Sequence, residues 1–288
     1  MRPLYEMEII QIDVTNVCIN SCSNCTRLIG HHRKPFFMDF DIFCSAVDSL
    51  VDFPGIVGMI GGEPLLHPDF EKMAQYMARK LPDPKRRGLW STIPKGNKYG
   101  SIIKEVYGTQ YFNDHTVNTI LHQPVLVAAE EVVKDKGEMW NLIENCWVQN
   151  MWSASITPKG AFFCEVAASF DMLFGGSGGW EVEPDWWKRG VDEFHEQKNR
   201  ACPKCGCAIP LERRPSVDNI DDVSPANLEA LRRIRSPGVT NGRAQLYTGG
   251  RVKSWNPHSN WYMDQVDGEI DYRKRITDRL NGQQGGTK

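Results

Sequence analysis

The chain has 288 residues, with 34 Lys and Arg against 36 Asp and Glu. This length suits one large core or a core with a small added domain, and the balanced charge argues against a general nucleic-acid or membrane-surface partner. The first residues lack the basic start and apolar run of a signal peptide, and no apolar stretch is long enough to span a membrane. We therefore expect a cytoplasmic protein.

The first half of the chain alternates short apolar runs with amphipathic patterns, as repeated β-α units do. Apolar side chains recur at helical spacing after Phe40 and again after Phe70. The alternation predicts an α/β fold. In chain order the predicted elements are strand 9–14, a helix from 40, strand 56–60, a helix from 70, strands 89–93, 116–121 and 125–128, and a helix over 139–143.

The pattern changes after about residue 145. Residues 151–156 and 161–166 are predicted to form a hairpin joined by a Pro-Lys-Gly turn. The run Gly175–Gly179 indicates a flexible loop, and Trp180, Trp186 and Trp187 beside it could cover a site, although we expect them to pack in the core. Ser224, followed by proline, predicts the start of a short helix.

Cysteine is the most informative residue type in this sequence. In a reducing compartment nine cysteines are not expected to form disulfides, and they occur here in close groups, as metal ligands do. Cys18, Cys22 and Cys25 form a C-x3-C-x2-C motif directly after the first predicted strand. Three thiolates suit a cubane iron–sulfur cluster and leave one iron open to a ligand. The alternative is a zinc site, although structural zinc favours four closed ligands.

Gly61-Gly62-Glu63-Pro64 ends the second predicted strand. Alone, this motif could be a tight turn. Following the cysteine motif, it resembles the radical S-adenosylmethionine (SAM) superfamily, in which both motifs lie at the ends of neighbouring strands of a partial barrel. The resemblance covers about residues 8 to 210.

The resemblance implies an α/β chain with a partial (β/α)6-type barrel and a [4Fe–4S] cluster on the three cysteines, whose open iron binds SAM. It implies SAM contacts from Gly61, Gly62, Glu63 and Pro64, and from Ser91 and Thr92 at the end of the third strand. Ser91 and Thr92 could equally make ordinary strand-end hydrogen bonds. Asn24 stands where the superfamily usually has an aromatic residue near the adenine.

A second set of cysteines follows in the latter half of the chain, where Cys146 and Cys164 enclose the predicted hairpin and Cys202 and Cys205 form a C-x2-C pair. This arrangement resembles the SPASM and twitch extensions of the superfamily, which hold an auxiliary [4Fe–4S] cluster. The gap between the turn glycine and the second cysteine is one residue shorter than in the usual pattern. The cysteines suffice for only one auxiliary cluster, which favours the twitch form over the two-cluster SPASM form. A zinc knuckle on the same four ligands is the alternative.

Several further side chains have open roles. Cys207 could replace Cys205 as a ligand, be inert, or return a hydrogen atom to a substrate radical. Cys44 lies on an apolar helical stripe and is expected to be a buried, inert thiol. Other candidates near the site are His31, His32 and His67, and Glu130 and Glu131 could supply a general base or simply begin a helix.

The expected units are a barrel core over residues 1–144, an auxiliary-cluster domain over 145–235 and a polar extension over 236–288, with the final residues 282–288 disordered. The resemblance implies reductive cleavage of SAM to a 5′-deoxyadenosyl radical that abstracts hydrogen from a substrate, with a donor such as flavodoxin or ferredoxin. We expect oxidation of a small alcohol similar to a sugar or aminocyclitol, with the auxiliary cluster accepting the electron. Epimerisation, peptide maturation and a non-catalytic zinc-stapled binding protein are the alternatives.

Overall fold

The computed structural model describes residues 1–112, 115, 120–151 and 154–252. Its strands are β1 (Ile9–Asp13), β2 (Ile56–Ile60), β3 (Arg87–Ser91), β4 (Thr109–Phe112), β5 (Leu121–His122), β6 (Ala154–Thr157), β7 (Gly160–Phe162), β8 (Arg214–Pro215), β9 (Asp221–Val223) and β10 (Ala244–Leu246). Its helices are α1 (Phe40–Asp48), α2 (Phe70–Lys80), α3 (Gly100–Val106), α4 (Ala129–Val132), α5 (Lys136–Glu144), α6 (Trp147–Met151), α7 (Glu165–Phe174), α8 (His195–Ala201), α9 (Pro225–Arg233) and α10 (Pro237–Thr240).

The central element is a six-stranded sheet in the order β4-β3-β2-β1-β6-β7. The pairs from β4 through to β6 are parallel, and β7 runs antiparallel to β6. Helices α1, α2 and α3 occupy the connections between the first four strands, as parallel pairing requires. The predicted α/β class with a largely parallel sheet is confirmed.

The two faces of the sheet differ in character. On one face Ile10 and Ile12 of β1 pack into the core with the apolar sides of α1 and α2. On the other face, the Trp90 ring lies over Gly58 and Gly88. A Cβ added at Gly58 would lie 2.3 Å from this ring, and one added at Gly88 would lie 2.6 Å from it. The indole stacks on Tyr111 with centroids 4.1 Å apart. The glycines therefore make room for an aromatic pair on the face away from the helices.

Helices α1 and α2 confirm the predicted apolar stripes. Phe43 and Val47 of α1 and Phe70 and Met77 of α2 are fully buried. The side chain of Asp39 accepts a hydrogen bond from the Asp41 N–H and caps α1. Local periodicity was sufficient to predict these helices, because apolar residues at this spacing lie together on one face only if the chain is helical.

Other boundaries differ from the prediction. The predicted strand over 125–128 is wrong, since only Leu126 makes an isolated β-bridge, to Val223. The predicted strand over 161–166 ends at Phe162, and Cys164 instead precedes the first residue of α7. Both runs are buried and mostly apolar, and periodicity does not distinguish a strand from other conformations in such runs. Of the predicted strand 116–121, only its last two residues lie among those described.

The hairpin of β6 and β7 belongs to the central sheet. Ile10 pairs with Ala154 and Ile12 with Ile156, so β6 lies directly beside β1. The predicted division at residue 144 stays a prediction, but the hairpin placed in its second unit shares a sheet with the first. Residues 282–288 lie outside the described part of the chain. Among the described residues, no helix is both long and apolar enough to cross a membrane.

The tryptophans beside the glycine loop pack as predicted. Trp186 and Trp187 are buried, and the Trp186 Nε1–H donates to Ser49 Oγ at 3.1 Å. The loop Gly175–Gly179 is held by hydrogen bonds, including one of 2.8 Å from the Arg200 guanidinium to the Gly178 carbonyl. This region therefore attaches α7 and α8 to the rest of the fold.

Candidate metal centres

The first cysteine loop rests directly on the glycine motif. The Gly62 N–H donates to the Thr15 carbonyl and the Glu63 N–H to the Val17 carbonyl, each at 2.7 Å. A Cβ added at Gly61 would lie 2.2 Å from the Thr15 oxygen, and one at Gly62 would lie 2.3 Å from the Val17 oxygen. The two predicted motifs thus meet at the C-terminal ends of β1 and β2, and the backbones can approach this closely only because both residues are glycine.

The three thiols of this loop are partly buried, in surroundings that disfavour negative charge. The pKa of Cys18 is raised to about 12, mainly by burial and in part by the nearby Cys25 thiol. Burial also raises the pKa of Cys22, with Cys25 and Cys18 adding to the effect. Such thiols become thiolates when a bound cation supplies compensating charge. The chemistry of this donor set fits a cysteine-bound cluster.

Glu63 is fully buried and is the centre of a hydrogen-bond network. Its Oε1 accepts from Ser91 Oγ at 2.7 Å and from the Leu65 N–H at 3.1 Å. Its Oε2 accepts from the N–H and Oγ1 of Thr92 at 2.8 and 2.7 Å. Burial still raises the pKa of Glu63, although these donors oppose the shift. Ser91 and Thr92 therefore hold Glu63 in place, and Pro64 begins the short turn that follows.

Asn24 faces the C-terminal segment of the chain. It has a left-handed backbone, with φ of 51°. Its Nδ2 donates to Asp222 Oδ2 at 3.0 Å, and the Asp222 N–H donates back to Asn24 Oδ1 at 2.8 Å. The Asn24 N–H also donates to Asp221 Oδ1. Asn24 therefore anchors the cysteine loop to β9.

The same segment holds the loop at further points. The Ser23 N–H donates to the Ser216 carbonyl, and the Ile220 N–H donates to Ser23 Oγ, each at 2.9 Å. Buried His31 lies between Asp221, 3.1 Å from its Nε2, and Ser236, 2.6 Å from its Nδ1. Sequence reasoning missed this attachment, because no local pattern shows that the polar residues near 221 pack against residues 23–31.

The second set of cysteines converges on one pocket, which is lined by Cys146, Cys164, Cys202, Cys205 and Cys207. Burial raises the pKa of Cys146 to about 12 and also raises the pKa of Cys164 and Cys202. Neighbouring thiols of the set add to each of these shifts. The structure thus brings together four residues spread over 60 positions in the sequence, and four thiols fit a fully cysteine-ligated cluster.

Cys207 lies against Cys205 inside this pocket. The Cys207 N–H is 3.4 Å from Cys205 Sγ. A hydrogen bond from the Cys207 thiol lowers the pKa of Cys205, and burial of the pair opposes the shift. Within the described ranges no group of three or more His, Cys, Asp or Glu side chains lies close enough together to hold a single metal ion.

Four other candidate side chains lie in different surroundings. His67 Nε2 lies 3.0 Å from the Met38 carbonyl. The Glu131 carboxylate accepts from the Ala226 N–H at the start of α9, at 3.1 and 3.2 Å, and Glu130 is exposed. Cys44 is only partly buried, so the expectation of a buried thiol is wrong.

Two crystal structures of BtrN are similar to this chain: one in complex with AdoMet and 2-DOIA, and one of the selenomethionine protein in an open conformation. The first has a TM-score of 0.45 and 15% sequence identity over 69% of this chain and 92% of BtrN. The second has a TM-score of 0.42 and 16% identity over 70% of this chain and 91% of BtrN. No family model and no curated protein matches the sequence.

Proposed function

We propose that this chain is a radical SAM enzyme with a twitch-type auxiliary cluster and that it oxidises a small alcohol, such as a sugar or aminocyclitol. One observation carries the proposal. The C-x3-C-x2-C loop lies in backbone contact with Gly61-Gly62-Glu63, at the C-terminal ends of two adjacent parallel strands. This edge of a parallel sheet is where open α/β folds bind their ligands.

In this proposal Cys18, Cys22 and Cys25 hold the cluster that binds SAM, and Cys146, Cys164, Cys202 and Cys205 hold the auxiliary cluster. When bound, these groups supply hydrogen abstraction from a substrate C–H bond and acceptance of the electron released as an alcohol becomes a carbonyl. A small carrier such as flavodoxin or ferredoxin would supply the reducing electron.

The protein's own contribution is to position the ligands and keep the site closed. Ser91 and Thr92 fix the Glu63 carboxylate, which in turn caps the turn at Leu65. The contact between Thr15 and Gly62 fixes the start of the cysteine loop. Contacts that fix the loop favour productive alignment of bound ligands.

The position of Cys207 supports oxidation over epimerisation. Epimerisation requires a thiol that returns hydrogen to the substrate radical, whereas the Cys207 thiol is hydrogen-bonded to Cys205 and is 2% exposed. Cys207 instead lines the pocket of the second cysteine set. The spare cysteine therefore acts on the second site in this proposal.

The test is anaerobic purification and reconstitution, followed by counting iron and sulfide in the native chain and in a Cys18/Cys22/Cys25→Ala variant. Two cubane clusters predict about eight irons per chain, falling to about four in the variant. The native protein should also convert SAM to 5′-deoxyadenosine in the presence of a reductant, and the variant should not.

Two results would contradict the proposal. A colourless protein that retains zinc after anaerobic reconstitution would favour the zinc-stapled scaffold. An iron count of about four that falls to none, with zinc retained, would leave the first site intact but remove the electron acceptor needed for the oxidation.

A further inference from the structure

Arg27 is a buried cation between the two cysteine sets. Its Nε donates to Asp13 Oδ1 at 2.8 Å, and its Nη2 donates to Gln11 Oε1 at 2.5 Å. Its Nη1 lies 2.8 Å from Glu165 Oε2. The Arg27 and Glu165 side chains are only 7% and 4% exposed. All three nitrogens of one guanidinium therefore have partners on two different parts of the chain.

The positions of these residues connect the two candidate centres. Arg27 follows Cys25 by two residues, and Glu165 directly follows Cys164 as the first residue of α7. The central sheet supplies the third partner, since Asp13 ends β1 and its Oδ2 accepts from Ser155 Oγ of β6 at 2.5 Å. The ion pair thus joins the loop of the first set to the helix that begins at the second.

The burial of this network strengthens the electrostatic interactions between its charged groups. Charges that are shielded from water interact more strongly than exposed ones, because less solvent screens them. Removing one member of a buried ion pair also leaves its partner uncompensated, so neighbouring groups must rearrange. Removing the Glu165 charge therefore leaves Arg27, two residues from Cys25, without one of its buried partners.

We propose that Arg27 and Glu165 couple the two cysteine sites, so that altering either side chain changes both sites and not only the one beside it in sequence. Both are positioning residues. The coupling of the loops is a property of the folded chain, and its effect on two clusters rests on the function proposed above.

The first experiment uses the full-length chain without bound metal. Amide hydrogen exchange is compared between the native protein, Glu165→Gln and Arg27→Lys. Gln keeps the size of Glu without its charge, and Lys keeps the charge of Arg without its planar fork. Both variants should exchange several-fold faster in residues 22–28 as well as around residue 165. The matched control is Glu196→Gln, since Glu196 pairs with Arg200 at 3.0 Å but is 84% exposed.

The second experiment uses the reconstituted protein and measures the midpoint potential of each cluster by redox titration followed by electron paramagnetic resonance. Glu165→Gln removes a negative charge from between the sites, so both potentials should shift in the positive direction. Glu196→Gln should shift neither potential.

Faster exchange confined to the residues around Cys164, or a shift of the second potential alone, would overturn the coupling. If the reconstituted chain holds no iron, the proposed function fails, but hydrogen exchange still decides whether the two loops are coupled. The two proposals therefore fail separately.

Discussion

Asn24 and Asp222 exchange a pair of hydrogen bonds across 198 residues of sequence, with Asn24 Nδ2 donating at 3.0 Å and the Asp222 N–H donating back at 2.8 Å. Both residues are buried. We expect Asn24→Ala to destabilise the protein by about 1–3 kcal/mol, because it leaves a buried N–H and carboxylate oxygen with fewer partners. Chemical denaturation of the apo protein measures this change.

The same Asn24→Ala variant should lose iron from the first site while retaining it at the second, because the anchor lies between Cys22 and Cys25. The control is Asn199→Ala, since Asn199 is exposed on α8. Equal iron content in Asn24→Ala and the native protein would show that β9 does not support the first site.

Glu63→Gln should cost about 1–3 kcal/mol of stability, because either orientation of the new amide places an NH2 group against buried donors. The affected donors are the hydroxyls of Ser91 and Thr92, which both donate to the Glu63 carboxylate. We also expect weaker SAM binding by calorimetry, since Glu63 neighbours Cys18. The exposed Glu71→Gln should leave both quantities unchanged, and an unaffected SAM affinity in Glu63→Gln would remove Glu63 from the SAM site.

Gly61→Ala should be strongly destabilising. Gly61 has φ of +146°, and its added Cβ would lie 2.2 Å from the Thr15 carbonyl oxygen. The backbone conformation alone costs a non-glycine residue about 1–3 kcal/mol. At Gly190 no atom of the described residues, its chain neighbours aside, lies within 4 Å of an added Cβ, so Gly190→Ala is the matched control. Thermal unfolding of the two variants should differ, and similar melting temperatures would contradict the close approach.

His67 should make the apo protein less stable in acid. Its Nδ1 accepts from the Asp69 N–H at 3.0 Å, which requires the neutral ring. Burial lowers the pKa of His67 below its ordinary 6.5, so the unfolded chain binds the proton more readily than the folded one. Stability therefore falls as pH drops through 6.5. His67→Gln should flatten this dependence by at most about 1.4 kcal/mol per pH unit, measured by denaturation at several pH values.

Cys205→Ser should empty the second site, whereas Cys207→Ser should keep its iron. We expect this because Cys205 forms the C-x2-C pair with Cys202, whereas Cys207 packs beside it with its N–H 3.4 Å from Cys205 Sγ. Iron and sulfide counts distinguish the two variants. The reverse result, with iron lost only from Cys207→Ser, would make Cys207 the fourth ligand.

The parts of the fold that sequence predicted best are those specified by neighbouring residues. Strand β2 and the starts of α1 and α2 follow from local apolar periodicity. Residues 125–128 were misjudged as a strand, since a short buried run does not reveal its conformation. The pairing of β6 with β1 was not foreseen either, because a strand's pattern does not specify its neighbour in the sheet.

The candidate sites divide in the same way. Cysteine spacing and the Gly-Gly-Glu-Pro motif, through the resemblance they carry, predict the candidate residues of both sites. Only the tertiary structure decided that Ser91 and Thr92 hold Glu63, that Asn24 is anchored by Asp222, and that Arg27 meets Glu165. These contacts join residues far apart in the chain, and their partners are selected by packing and by the exclusion of water, which no local pattern records.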